Sequence, residues 1–312
     1  MSWFSQILEN WISFSYLEEY RALVVHPLWL LKLLILLYSP FICTVLCLWA
    51  LSFVLHIYKK INNQQESDVS KFWEKPRKII AQVCDIFGKI WYGYEVIGME
   101  HLRKGPGIIV YYHSATAIDY SFLVAKLFKE AQRECFSVTH RGIYRLPGLK
   151  ILLNSINLKD FNKAECVEIL KKGHLLGIAP GGGREANFSY DYNIMWGNST
   201  GFARVALEAK VPIIPMFTQN ACETFRNIGK SRLTRWLYEK KRLICLPIYG
   251  PFPVKLRTYI GEPIPYDPNI TAAELAEKAK TAIENLRDKY QKRPGNILRA
   301  LSERFDKHYK AN

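Results

Sequence analysis

Several kinds of chemistry are missing from this chain of 312 residues. It has seven cysteines (Cys43, Cys47, Cys84, Cys135, Cys166, Cys222 and Cys245), odd in number, scattered, and without a Cys-x-x-Cys pair. That spacing argues against a zinc site and a disulfide framework, and for free thiols in a reducing compartment. Its glycine-rich turn is not followed by Gly-Lys-Ser/Thr, so no Walker phosphate loop is expected there. No internal repeat, zinc spacing or basic recognition helix occurs, and aromatics do not interleave with basic residues as in RNA-binding strands. Nucleic acid is therefore not an expected partner. The leading residues lack the positive charge and cleavage site of a secretory signal. Acidic residues are also scarce, 28 against 43 Lys and Arg, which leaves a formal charge of +15. Such a chain is drawn to anionic surfaces, and a membrane is the best candidate.

Apolar sequence is abundant at the start. Residues 1–22 carry Trp3, Phe4, Ile7, Leu8, Trp11, Ile12 and Phe14 at helical spacing. An aromatic stripe of this kind suits either a helix in the membrane interface or one covering the protein's own core. Residues 23–58 are overwhelmingly apolar, broken only by His26-Pro27, Lys32 and Ser39-Pro40, and Leu33 to Leu55 contains no charge. That length spans a hydrocarbon core of roughly 30 Å, so membrane insertion is predicted, as one kinked span or as a hairpin turning at Pro40. Lys59, Lys60, Lys71, Lys75, Arg77 and Lys78 follow the segment, against Arg21 and Lys32 before it. The bias predicts that the rest of the chain faces the cytosol. Residues 59–80 read as a basic linker touching headgroups, and 81–312 as one large domain.

Within that domain, strand-type runs at Ile108–Tyr112, Cys135–Thr139, Leu175–Ala179, Val211–Phe217 and Val254–Ile260 alternate with helical patterns. The helices are expected at Ser121–Lys129, Lys163–Lys172, Gly201–Ala209, Thr234–Arg242, Ala272–Tyr290 and Asn296–Phe305. This order predicts an α/β fold, a sheet flanked by helices with ligands at the carboxyl ends of the strands. Val211-Pro-Ile-Ile-Pro-Met216 has prolines that cannot donate to a ladder, which predicts an edge strand or a bend in a pocket wall.

The chemistry centres on Gly107-Ile-Ile-Val-Tyr-Tyr-His113-Ser-Ala-Thr-Ala-Ile-Asp119. A buried strand ends at a histidine, and a carboxylate follows as a helix begins. Alone, such a pair also serves structural roles; in an active site it is a general base with a group that orients it and stabilises its charged form. Ser114 beside it has no strand-turn-helix elbow of its own, which sets a lipid hydrolase aside. Downstream, Leu175-Leu-Gly-Ile-Ala-Pro-Gly181-Gly182-Gly183-Arg184-Glu185-Ala186 runs a second strand into bare backbone. That suits either a tight turn or contact with an oxyanion or glycerol oxygen. The basic stretch Arg226 to Arg257, with Lys230, Arg232, Arg235, Lys240, Lys241, Arg242 and Lys255, reads as a solvated positive face or as a contact for headgroups or coenzyme A phosphates.

In this order, the three motifs over residues 95–265 resemble those of the glycerolipid (lysophospholipid) acyltransferase superfamily. Within it they are similar to the transmembrane protein 68 group, through Pro-Gly-Gly-Gly-Arg-Glu-Ala, Tyr192-Asn-Ile-Met-Trp-Gly197, Val-Pro-Ile-Ile-Pro-Met-Phe-Thr-Gln-Asn220 and Phe252-Pro-Val-Lys-Leu-Arg-Thr-Tyr259. They are more distantly similar to the type 2 diacylglycerol acyltransferases. The resemblance implies an O-acyltransferase in the endoplasmic reticulum membrane, with acyl-CoA or another lipid as donor and no bound cofactor or metal. It implies His113 and Asp119 as the catalytic pair, although five residues separate them where the superfamily usually has four. Gly181, Gly182, Gly183, Arg184 and Glu185 are implied at the substrate. Gly181 stands where phosphate-handling members carry a glutamate, and Glu185 falls where the diacylglycerol enzymes have Gly-Gly-x-x-Glu. The arginine that relatives use for a glycerol phosphate has no clear counterpart, with Lys159 the nearest basic candidate. This points to a neutral acceptor, mono- or diacylglycerol. Lysophospholipid or glycerol-phosphate acylation, and a non-enzymatic lipid-binding role, are the alternatives.

Overall fold

A computed structural model describes residues 3–62, 72–140, 143, 148–227, 232–241 and 247–305. A single helix, α1 (Trp3–Ile61), runs through Pro27 and Pro40. The segments expected over 1–22 and 23–58 are therefore parts of one helix, with no hairpin at Pro40. The aromatic stripe of residues 1–20 lies outside the described side chains. From Leu28 onward the helix is apolar and mostly turned outward. Its stretch Ile42–Ile61, with mean hydropathy 1.7, is long and apolar enough to cross a membrane. Its last turns do meet the domain: Leu51, Leu55 and Tyr58 pack with Trp73, Ile80, Leu149 and Leu152, and the Ser52 hydroxyl donates to the Gly148 carbonyl.

The linker expected over 59–80 is shorter than its composition suggests, because a second helix, α2 (Glu74–Tyr92), begins inside it. Pro76 falls in its first turn, where no N–H is needed. Gly93 ends it in the left-handed region, its N–H returning to the Lys89 carbonyl at 3.1 Å. The α/β domain then follows as β1 (Glu95–Ile97), β2 (Gly107–Tyr111), α3 (Ile118–Ala131), β3 (Cys135–Val138), α4 (Lys150–Ser155), β4 (Leu158–Lys159), α5 (Lys163–Lys171) and β5 (Leu175–Ile178). After these come α6 (Gly182–Phe188), α7 (Gly201–Ala209), β6 (Ile213–Gln219), β7 (Arg226–Asn227), α8 (Arg232–Lys241), β8 (Pro247–Tyr249), β9 (Arg257–Ile260), α9 (Ala272–Tyr290) and α10 (Ile297–Ser302).

Seven strands form one sheet in the order β1-β9-β6-β2-β5-β3-β4, parallel throughout except for β6 against β9, while β7 and β8 pair separately. The central strand β2 is buried along its whole length, as its unbroken apolar run requires of a strand covered on both faces. Ile108 and Val110 pack with Val167 and Leu170 of α5, Phe202 of α7 and Ile283 of α9. Ile109 and Tyr111 point the other way, to Tyr120, Leu123 and Leu127 of α3. Alternation along the strand thus divides the core into two layers.

The proline-bearing strand β6 is not an edge; it lies between β2 and β9. Its proline is tolerated because Pro215 falls between two pairings. β9 pairs from Met216 with Ile260, and the next bonds join Ile213 to Ile264. At Pro215 only the carbonyl is needed, accepting from the Gly261 N–H at 2.9 Å. Adjacent β2, β5 and β6 are parallel. The carboxyl end of β6, at Thr218, and the segments leaving β2 and β5, at His113 and Gly181, therefore gather at one rim.

Candidate active site

His113 leaves β2 just past its last residue, Tyr111, and Asp119 sits in the first turn of α3. The five-residue connection closes through Ala117, left-handed at φ 49°, a conformation that costs a non-glycine residue of order 1 kcal/mol.

The His113 ring is partly exposed, and its Nδ1 lies 2.6 Å from the Ser114 carbonyl. A carbonyl can only accept, so Nδ1 carries the proton and Nε2 is left with a free lone pair. Burial holds the histidine below its usual pKa, opposed by the Ser114 carbonyl and the charge of Asp119. A neutral imidazole with an unprotonated Nε2 is the form a general base needs at neutral pH. The ring is oriented by the carbonyl, while Asp119 acts on it through charge.

Asp119 is only 2% exposed, and its carboxyl is pushed up by burial. Hydroxyl groups counter that shift. The Ser114 hydroxyl donates to Asp119 Oδ1 at 3.1 Å, and the Thr218 hydroxyl binds the same carboxylate. Behind Thr218 lies Thr258, 2.8 Å away, and behind that the Tyr94 hydroxyl at 2.9 Å, which also reaches the Asp119 carbonyl at 3.2 Å. The Asp119 carbonyl can only accept and so takes the single Tyr94 proton, while the Thr258 hydroxyl can donate to Thr218 and Thr218 to the Asp119 carboxylate. Sequence reasoning missed Tyr94, Thr218 and Thr258. The available signal was their position on strands or strand flanks, among apolar neighbours where a hydroxyl needs a partner.

The glycine-rich turn approaches from the other side. Glu185 is 1% exposed; its Oε2 accepts from the His113 backbone N–H and its Oε1 from the Met195 N–H, both at 2.8 Å. Burial raises its pKa to about 7 against the pull of those two donors. Gly181 is required by this packing, since a Cβ there would stand 2.5 Å from Cβ and Cδ of Glu185. Gly182 is left-handed at φ 47°, and its N–H is committed to the Ala179 carbonyl at 3.1 Å. Gly183 lies against Tyr238 of α8. Arg184 is exposed while Glu185 is buried on two backbone N–H groups, and among the described residues no ion pair joins the two.

Other candidates lie elsewhere. Lys159 is on the edge strand β4, three strands from β2, or roughly 14 Å at the usual spacing. Lys255, counted with the basic face, is buried: its Nζ donates to Glu95 and to the Gly93 carbonyl, both at 2.6 Å. It is therefore a structural cation. Gly197-Asn-Ser199-Thr-Gly201 spells Gly-x-Ser-x-Gly. It follows irregular backbone and no strand, so it lacks the geometry of a nucleophile elbow. A polar cavity of about 220 Å³ adjoins the site, lined by Tyr112, Ala115, Asn187, Ser189, Cys222 and Glu223 among others.

Comparison with known proteins fits this geometry. A model described as Acyltransferase matches residues 93–219, which include both histidine and carboxylates. The mouse protein named "DGAT1/2-independent enzyme synthesizing storage lipids" is 48% identical, over 98% of this chain and 93% of its own length. This chain belongs to the same acyltransferase family. The human protein of that name is 49% identical, over 96% of this chain and 93% of its own. Among solved structures, the 1-acyl-sn-glycerophosphate (LPA) acyltransferase PlsC from Thermotoga maritima overlaps 82% of this chain and 96% of its own, with TM-score 0.49 and 19% identity. By the family model and these relatives, the chain is an acyltransferase enzyme of a family whose named members synthesise storage lipids.

Proposed function

We propose that this acyltransferase moves a fatty acyl group from acyl-CoA to the free hydroxyl of a neutral glycerolipid, mono- or diacylglycerol. The observation that carries the reading is the Nδ1–H to Ser114 carbonyl bond, which presents His113 Nε2 as the base. In this mechanism Nε2 takes the hydroxyl proton as the oxygen attacks the thioester carbon directly, and no acyl-enzyme forms. Collapse of the tetrahedral intermediate breaks the C–S bond, and the proton held on His113 goes to the departing coenzyme A thiolate. Asp119 favours the transient imidazolium through its charge. Donors about the glycine turn would face the oxyanion, with the N–H of Gly182 already committed to Ala179.

The acceptor class rests on two observations. The polar cavity beside the site holds the buried carboxyl of Glu223 and also Asp191, against one cation, Arg226, a balance better suited to hydroxyl groups than to a phosphate. The curated relatives carry names that say they synthesise storage lipids. The span in α1 and the basic residues after it support a membrane location, proposed as the endoplasmic reticulum with the domain facing the cytosol. The test uses microsomes holding the intact chain or His113→Ala, labelled oleoyl-CoA, and monoacylglycerol, diacylglycerol or lysophosphatidate in parallel. Labelled di- or triacylglycerol from the intact chain alone is expected. Phosphatidate as the main product would overturn the acceptor class.

A further inference from the structure

The polar cavity beside the site is built around a buried carboxyl group. Glu223 is 2% exposed and stands in its wall with Tyr112, Ser189 and Cys222. The hydroxyl groups around it spend their protons on the protein. Ser189 donates to the Asn193 carbonyl at 2.7 Å, so the Tyr112 hydroxyl, also at 2.7 Å, must donate to Ser189. Tyr112 then has only its oxygen left for the Cys222 thiol, 3.2 Å away. Tyr192 gives its proton to Glu223 Oε2 and accepts the Cys222 N–H at 3.1 Å. The other carboxyl oxygen, Oε1, faces the bare backbone of Gly295, where any Cβ would collide with it. These groups keep lone pairs rather than protons for a ligand, so whatever binds them must bring the donors.

We infer that Glu223 is a specificity-determining residue of the acceptor site, accepting a hydrogen bond from the second free hydroxyl of a monoacylglycerol while His113 acts on the first. The inference rests on the neutral-acceptor reading and deepens it. Tyr112 and Ala115 of the cavity wall flank His113 and Ser114 in the chain, so the cavity lies next to the base. At roughly 30 Å³ for one water, its volume of about 220 Å³ has room for a glycerol head. Glycerol carries its hydroxyls on adjacent carbons, so one oxygen at Nε2 leaves its neighbour for this wall. A phosphate there would bring no donor to a row of acceptors and would meet a carboxylate. A diacylglycerol has a single free hydroxyl, which His113 takes, so Glu223 serves the first acylation and not the second. A site that hydrogen-bonds a substrate hydroxyl rejects the analogue lacking it, because a buried polar group then loses its partner.

The experiment gives the purified full chain labelled oleoyl-CoA and either monooleoylglycerol or the oleoyl monoester of the propanediol that lacks the middle hydroxyl. The intact enzyme should favour monooleoylglycerol by about 10- to 100-fold in kcat/KM, the effect of one hydrogen bond to a charged group. Glu223→Gln should remove most of that preference. Glu223→Asp keeps the charge and withdraws the oxygens by one methylene; its preference should be intermediate, and it replaces Glu223→Gln if that protein fails to fold. Equal use of the two acceptors by the intact enzyme, or a preference that survives the substitutions, would overturn the inference. Lysophosphatidate is run in parallel. Phosphatidate without neutral esters would overturn the acceptor reading itself, whereas neutral esters formed without preference would overturn the role of Glu223 alone.

Discussion

Two carboxylates flank His113, almost equally buried, and their surroundings differ in kind. Asp119 lies among hydroxyl groups, with Ser114 and Thr218 on its oxygens and Thr258 and Tyr94 behind them. Among the described residues no hydroxyl group donates to Glu185; its two oxygens take the backbone N–H groups of His113 and Met195. Hydroxyl groups can turn and follow a change of charge, so the Asp119 environment can respond when the imidazole gains a proton. Backbone donors are fixed, so Glu185 instead holds two chain segments in place. Burial alone therefore does not define the role of an acidic side chain; the mobility of its partners does. Substitutions that separate these roles are the ways to break the comparison.

Removing the group both carboxylates serve has the largest expected effect. His113→Ala should lower acyl transfer by about 10²–10⁴-fold in microsomes at unchanged protein level. Asp119→Asn keeps the shape and removes the charge, and a loss of about 10²-fold in kcat is expected, with KM for the acceptor little changed. On the other side, Gly181→Ala drives a methyl group into Glu185, a clash that should cost about 1–3 kcal/mol, read as a lower midpoint in thermal unfolding.

Glu185 also predicts a pH dependence of stability. Its folded pKa of about 7 lies above the ordinary carboxyl value of 4.5, so the folded state holds the extra proton between them. Stability should be greatest below the lower value and fall as pH rises toward 7. Glu185→Gln, which does not titrate, should flatten that fall while destabilising the protein, because a buried N–H loses its acceptor. Thermal unfolding at pH 5 and pH 8 measures both. The smallest effect belongs to the far end of the hydroxyl chain. Thr258→Val should cost about 1 kcal/mol of stability and only a few-fold in rate, since Ser114 and Thr218 still touch Asp119.

Much of this arrangement was legible in the sequence. The run Ile108 to Tyr112 and its terminal histidine read as a buried strand because the stretch is short, β-branched and aromatic-rich. The helix expected at Ala272–Tyr290 forms as α9, opened by a capping box between Thr271 and Glu274. What stayed hidden depends on non-local contacts. The place of β6 inside the sheet rests on where β9 stops pairing, which no property of Pro215 reveals. Helix α2 hides in a stretch whose lysines read as a linker, because its buried face is assembled from Arg77, Asp85 and Tyr92 in company with the domain. The hydroxyl chain behind Asp119 joins residues 94, 218 and 258, far apart in sequence and brought together by β6, β9 and the approach to β1.

The measurement closest to the central claim is the pH dependence of kcat for the intact enzyme, Asp119→Asn and Glu185→Gln. Burial holds His113 below its ordinary pKa and Asp119 partly restores it, so the intact enzyme should keep its rate until the pH falls below about 6.5. Asp119→Asn should move this acidic limb to still lower pH, whereas Glu185→Gln should lower the rate and leave the limb in place. A limb that ignored Asp119→Asn, or that moved with Glu185→Gln instead, would contradict the division of roles between the two carboxylates.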